Sequence, residues 1–154
     1  MRKPEVAVVV GSKSDVPMME RTVKVLEDFG ISYSLSVLSA HRKPKETRSF
    51  ARSASRRGIK VIIAGAGMAA HLAGALASET ILPVIGVPLP GSHLGGVDAL
   101  YSTVQMPSGV PVAAMAIGQA GALNAALLAV EILALSDGAL KRKLAAYRRK
   151  LAAG

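Results

Sequence analysis

The feature that most constrains this chain is an alternation that begins near its start. Short apolar runs rich in β-branched residues are each followed by a longer segment with helical spacing. This is the pattern of βαβ units, whose parallel strands are covered on both faces and so read as nearly continuous apolar runs. It predicts strands near Val6–Val10, Tyr33–Leu38, Lys60–Ala64, Val84–Val87 and Val112–Ala116, and hence an α/β fold with about five parallel strands. Helices are expected over Val16–Phe29, where Met19, Val23, Leu26 and Phe29 recur three or four apart, over the charged Pro44–Arg57, and in an alanine-rich stretch after His71. Ala120–Leu135 is apolar on nearly every side, and such a helix has to be covered all round, which a 154-residue monomer is not expected to manage. A last helix after Asp137-Gly138 carries Leu140, Leu144, Tyr147 and Leu151 as a stripe that needs a partner. The partner is either the chain's own domain or a neighbouring copy, and with the apolar helix before it the stripe points to a homo-oligomer.

The length of 154 residues fits one domain, with residues 1–136 as its body and residues 137–154 as a C-terminal amphipathic helix of the same domain. Half of the chain is hydrophobic (51%) but only 3% is aromatic, so the core must be built from aliphatic side chains and alanine packed at close range. There is no cysteine, which excludes a disulfide framework, a thiolate nucleophile and thiolate-bound metal, and makes the reducing cytoplasm the expected address. The apolar run after Met1-Arg2-Lys3-Pro4 spans only Val6–Val10, so no secretion signal is expected.

The formal charge of +9 raises the question of nucleic acid. Residues 137–154 hold six Lys or Arg against Asp137, a net of +5, which leaves +4 on the other 136 residues. A basic tail with one Tyr and no aromatic interleaving reads as a solvated helix face, and no nucleic acid is expected as a partner. Residues 99–130 contain no charged side chain, but Pro107, Gly109, Pro111, Gly118 and Asn124 interrupt them. A membrane span needs about 20 mainly apolar residues in one helix, so none is expected.

In an open parallel sheet ligands bind beyond the carboxyl ends of the strands, and three loops there are unusual. Gly11-Ser12-Lys13-Ser14-Asp15 follows the first strand and offers a flexible turn, two hydroxyls, a carboxylate and free backbone N–H groups. That set suits phosphate and ribose hydroxyls, and it equally suits a plain helix cap by Ser14 or Asp15. Ser39-Ala40-His41-Arg42-Lys43-Pro44 follows the second strand and sets an imidazole, which titrates near ~6.5 when unperturbed, beside a guanidinium. This is a general acid/base next to an anion anchor, or a bystander loop histidine. Gly65-Ala66-Gly67-Met68-Ala69-Ala70-His71 follows the third strand. It imitates a dinucleotide fingerprint but lacks the acidic residue about 20 positions on, since residue 85 is Ile. Its small residues are expected to let backbone approach a planar ligand, with His71 starting the next helix. His41, His71 and His93 are too widely spaced for a metal site, so no metal is expected.

Taken together, Gly11–Asp15, Ser39-Ala40-His41-Arg42, Ala64-Gly65-Ala66-Gly67 with Ala69-Ala70-His71-Leu72, and Val104-Gln105-Met106-Pro107 resemble the PurE family of purine biosynthesis, the catalytic subunit called phosphoribosylaminoimidazole carboxylase. The likeness runs from about Val6 to Leu135. The second and third motifs look like class I, the N5-carboxyaminoimidazole ribonucleotide mutases; class II, which joins free carbon dioxide to aminoimidazole ribonucleotide, tends to have Lys where this chain has Arg42. The resemblance implies a three-layer αβα, flavodoxin-like domain, a homo-octamer with the last helix packing on neighbouring subunits, a small ribonucleotide substrate, and no metal or organic cofactor. It implies that His41 acts as general acid when the carbamate releases carbon dioxide and as general base when ring carbon C4 loses its proton. It further implies that Gly11, Ser12, Ser14, Asp15 and Ser39 hold substrate, Asp15 at the ribose hydroxyls, that Arg42 takes the phosphate, and that Gly67, Ala70, His71 and Leu72 enclose ring and carboxylate. Direct carboxylation and a non-catalytic nucleotide-binding protein are the alternatives.

Two departures from the family pattern stand out. Met68 and Ala73 occupy positions where many relatives have Gly and Pro, and an ordinary backbone is expected at Met68. Leu89-Pro90-Gly91-Ser92-His93 differs from the commoner sequence before Gly96-Val97-Asp98; this loop is expected to cover the pocket, with His93 exposed.

Overall fold

The computed structural model describes residues 3–154; Met1 and Arg2, part of the stretch read for a secretion signal, lie outside the described residues. Five parallel strands form one sheet in the order β2-β1-β3-β4-β5, with β1 Val6–Val10, β2 Tyr33–Val37, β3 Val61–Gly67, β4 Val84–Leu89 and β5 Ala113–Ala114. Helices α1 Glu20–Phe29, α5 Gln119–Ala134 and α6 Gly138–Ala152 accompany one face, and α2 Pro44–Ala54, α3 Leu72–Ala77 and α4 Val97–Val104 the other. The result is the three-layer, flavodoxin-like arrangement.

The strand pleat explains why both faces are apolar. Val6, Val8 and Val10 of β1 point with Val61, Ile63, Ile85 and Val87 toward Leu26, Phe29 and the α5 alanines. Ala7 and Val9 point with Ile62, Ala64 and Val84 toward Phe50, Leu72 and Leu76. Alternation in direction without alternation in polarity is what a doubly covered central strand requires. A buried hydrogen bond from Thr22 Oγ1 to the Ala122 carbonyl, 2.6 Å, ties α1 to α5 and contributes on the order of 1 kcal/mol.

Several boundaries differ from the sequence expectation. The start of the first helix is two short 3₁₀ turns, Lys13–Asp15 and Pro17–Met19, before α1 begins at Glu20. Strand β3 runs on to Gly67, because Ala66 and Gly67 stay paired with Pro88 and Leu89. Both glycines there sit at close approaches: a Cβ at Gly65 would meet Met19 Sδ at 2.8 Å, and one at Gly67 the Leu89 carbonyl oxygen at 3.2 Å. Strand β5 shrinks to two residues at the sheet edge, and α3 to six. Helix α4 was not expected at all. Its outward residues Val97, Tyr101 and Val104 are apolar and exposed, so no polar face marks its period.

The apolar helix α5 is covered more fully within one chain than its composition suggests. It lies between the sheet, α1 and α6, and Ala122, Ala125, Ala126, Ala129 and Val130 are wholly buried. The last helix makes this possible by folding back. Asp137 caps it by accepting from the N–H groups of Ala139 and Leu140, at 2.9 and 3.0 Å. Leu140 is buried, Leu144 packs against the same core, Tyr147 meets the edge of Phe29 at 5.8 Å between ring centres, and Lys143 donates to the Phe29 carbonyl at 3.1 Å. The stripe therefore serves its own domain over three of its four residues, and Leu151 alone is left outside, 64% exposed. Among the described residues no helix is long and apolar enough to cross a membrane.

Candidate active site

The register of the sheet puts three loops at one level. Val10 of β1 pairs with Val37 of β2 and with Gly65 of β3, so the residues that follow each strand emerge side by side. The Gly11 N–H donates to the Gly65 carbonyl and the Leu38 N–H to that of Val10, which extends the alignment into the loops. Beyond them lies a cavity of about 820 Å³, within the 300–1,000 Å³ typical of small-ligand sites.

In the first loop the capping residue is Ser12 rather than Ser14 or Asp15. Its Oγ accepts from the Ser14 N–H at 3.4 Å and lies 2.9 Å from Ser14 Oγ. In the second loop Ser39 Oγ accepts from both the backbone N–H and Nε of Arg42, at 3.1 and 3.3 Å, and the Arg42 guanidinium reaches across to the Gly11 carbonyl at 3.3 Å. One arginine thus braces two loops and keeps its remaining donors for an anion.

The third segment contains the sharpest departure from expectation. Met68 has φ +55° and Ala70 φ +41°, so the ordinary backbone expected at Met68 is not what forms. The chain must leave β3 at Gly67 and enter α3 at Leu72, and it reverses in a turn closed by the Ala70 N–H on the Gly67 carbonyl, 3.0 Å. Left-handed backbone costs a non-glycine residue roughly 1–2 kcal/mol, and here the fixed strand end and helix start impose it twice. His71 stands at the N-cap of α3, as expected of a helix-starting residue. Its Nδ1 lies 2.5 Å from Nε2 of His41, with the rings nearly perpendicular at 87°. In such a contact one ring nitrogen donates to the other, so the tautomer of each ring bears on that of the other.

Every residue singled out above, from Gly11, Ser12, Ser14 and Asp15 through Ser39, His41 and Arg42 to Gly67, Ala70, His71 and Leu72, lines this one cavity. Ala70 and Leu72 are buried although they line the cavity. Sequence reasoning missed Met18, which joins the lining from the turn before α1, and the contact between His41 and His71. Pro90 and Gly91, which follow β4, border the cavity. His93 is exposed and outside the lining, while Ser92 Oγ donates to Asp98 at 2.8 Å and steadies the loop.

The family model for AIR carboxylase matches residues 5–153. The chain belongs to the AIR carboxylase (PurE) family. It is 53% identical over 148 residues to the N5-carboxyaminoimidazole ribonucleotide mutase of Pyrococcus abyssi, covering 96% of this chain and 84% of that one. It is 51% identical over 144 residues to the protein of the same name from Escherichia coli, covering 94% and 85%. The crystal structure of Treponema denticola PurE superposes with a TM-score of 0.86 at 30% identity, covering 97% of this chain and 92% of that one.

Within this AIR carboxylase cavity Asp15 is the acidic side chain, and burial pushes its carboxyl above the ordinary 3.8, against the opposing pull of the Ser12 backbone N–H and the Arg42 guanidinium. A carboxyl whose folded value is raised favours folding below its ordinary value and loses that contribution as pH rises through the folded value. Asp15→Asn is therefore expected to raise the thermal unfolding midpoint at pH 7, with the gain shrinking as pH falls toward 3.8. A variant no more stable than the parent at pH 7 would contradict this.

Proposed function

We propose that this chain is an N5-carboxyaminoimidazole ribonucleotide mutase, moving a carboxylate from the exocyclic nitrogen of an aminoimidazole ribonucleotide to ring carbon C4 in purine biosynthesis. The observation that carries the reading is the meeting of His41 with Ser12, Asp15 and Arg42 in one cavity, in a chain half identical to proteins of that name over nearly its whole length. The sister reaction, carboxylation with free carbon dioxide, is not favoured, because those relatives carry the mutase name and Arg42 stands where class II tends to have Lys.

The residues divide the work as follows. Arg42, braced by Ser39 and Gly11, and the hydroxyl of Ser12 take the phosphate; the Asp15 carboxylate accepts from ribose hydroxyls. His41 as imidazolium gives its proton to the exocyclic nitrogen as the N–C bond breaks and carbon dioxide leaves. C4 then forms a bond to that carbon dioxide, and neutral His41 removes the C4 proton, which restores the imidazolium and the aromatic ring. Nothing is gained or lost, as an isomerisation demands. His71 engages His41 Nε2, which leaves Nδ1 for the substrate and holds the ring across the cavity. Gly67, Ala70, His71 and Leu72 enclose ring and carboxylate.

We place this chemistry in the cytoplasm, in keeping with a chain free of cysteine, and in an assembly of eight copies. The exposed apolar residues Leu94, Val97, Tyr101 and Val104 support further burial between subunits. Light scattering should give a mass near eight times 15.8 kDa; a monomer in solution would refute the assembly.

His41→Asn is expected to lower turnover of the carbamate substrate by roughly 10²–10⁴-fold, the usual weight of a general acid/base, while the variant folds and still binds product nucleotide. Undiminished turnover would remove His41 from the reaction.

A further inference from the structure

The net positive charge outside the C-terminal helix sits in one place. Residues 42–57 hold seven Lys or Arg against Glu46, a net of +6 in sixteen residues, which leaves the rest of the body at −2. The block begins at the cavity, since Arg42 lines it, and runs the length of α2. Lys45, Arg48, Arg52 and Arg56 follow one another at spacings of three and four, so they form one exposed row. Arg48 and Arg52 both reach the carboxylate of Glu79, at 3.6 and 2.7 Å. One acid thus serves two guanidiniums, and the row keeps its excess.

These cations also stand where a helix ordinarily carries carboxylates, because the dipole of a helix is positive at its N-terminus. Arg42, Lys43 and Lys45 crowd that end of α2 and add to the same field beside the cavity. An assembly of eight copies does not account for them. Among the described residues 42–57 no large apolar side chain is exposed, unlike in α4, and taking so many like charges out of water is unfavourable without partners for them. A single-stranded nucleic acid fits no better. Phe50, the aromatic residue of α2, is buried with the Arg57 guanidinium 5.0 Å from its ring centre, which leaves no face for a base to stack on. What the cavity takes, on the mutase reading, is a small ligand bearing a phosphate and a carboxylate.

We propose that the basic row of α2 steers this anionic nucleotide to the mouth of the cavity and raises its rate of capture, without touching it once bound. This rests on the mutase reading above, and the two can fail separately. Screening limits the reach of a charge to about 8 Å at about 0.15 M salt and extends it to about 30 Å at about 0.01 M. Lys45 is three residues from Arg42, whereas Arg56 lies about 16 Å farther along the helix. The experiment measures association and dissociation of the 4-carboxy product nucleotide by stopped flow at both salt concentrations, with turnover at saturating substrate and the light-scattering mass alongside. Lys45→Glu is expected to slow association about threefold or more at low salt, with dissociation, saturated turnover and mass unchanged, and Lys45→Arg to keep the parent rate. Arg56→Glu is expected to slow association at low salt only. Association by Lys45→Glu as fast as the parent's at low salt would overturn the proposal, including where that variant loses affinity for single-stranded RNA. A lower mass would overturn it too, by placing α2 in a subunit contact. A parent that takes up no product nucleotide would instead overturn the mutase reading.

Discussion

The rest of the structure depends on the parallel pairing of β1 with β2 on one side and β3 on the other. Because Val10 lies level with both Val37 and Gly65, three chain segments far apart in sequence end their strands on one line. Parallel strands all leave the sheet at the same edge, so the loops cannot avoid one another. The order β2-β1-β3 also makes β1 the point at which the chain turns from one direction of travel across the sheet to the other, and a crevice opens there. Helix packing serves this pairing: α1 with α5 on one face and α2 with α3 on the other hold β1 wholly buried.

Given that alignment, the polar chemistry of the site is a set of contacts between loops. Arg42 bonds to Ser39 in its own loop and to Gly11 in the next, so its guanidinium is positioned by both. His41 meets His71 across the third junction, which ties the proposed acid/base group to the start of α3. The same convergence has costs. Asp15 resists ionisation because burial disfavours its charge, and Met68 and Ala70 are bent into left-handed backbone because β3 and α3 are too close in sequence for a gentler reversal. Penalties of this kind collect where a site must be held in a shape the chain would not choose locally.

The central strands were legible because Val6–Val10 and Val61–Ala64 are buried on both faces, and burial of that kind writes itself as an unbroken apolar run. The loops stood out through the residue types they bring together: an imidazole beside a guanidinium, and glycines where a Cβ would crowd its neighbours. What stayed hidden lies where tertiary contacts overrule local preference. Strand β5 is two edge residues whose pairing is supplied by Ile85 and Gly86. Helix α4 turns apolar side chains outward and so carries no amphipathic signal. The cover that α5 finds within one chain needs α6 to fold back, which a stripe of leucines permits without requiring. The left-handed Met68 contradicts its own residue type, and no spacing rule links His41 to His71 across thirty positions.

A crystal of the protein grown with its 4-carboxyaminoimidazole product tests the account most directly. The nucleotide should lie across the ends of β1, β2 and β3 with phosphate on Ser12 and Arg42, ribose hydroxyls on Asp15, and C4 within reach of the His41 ring. A nucleotide seated elsewhere, or one whose C4 lies away from that imidazole, would contradict the claim that the sheet's register assembles the reaction.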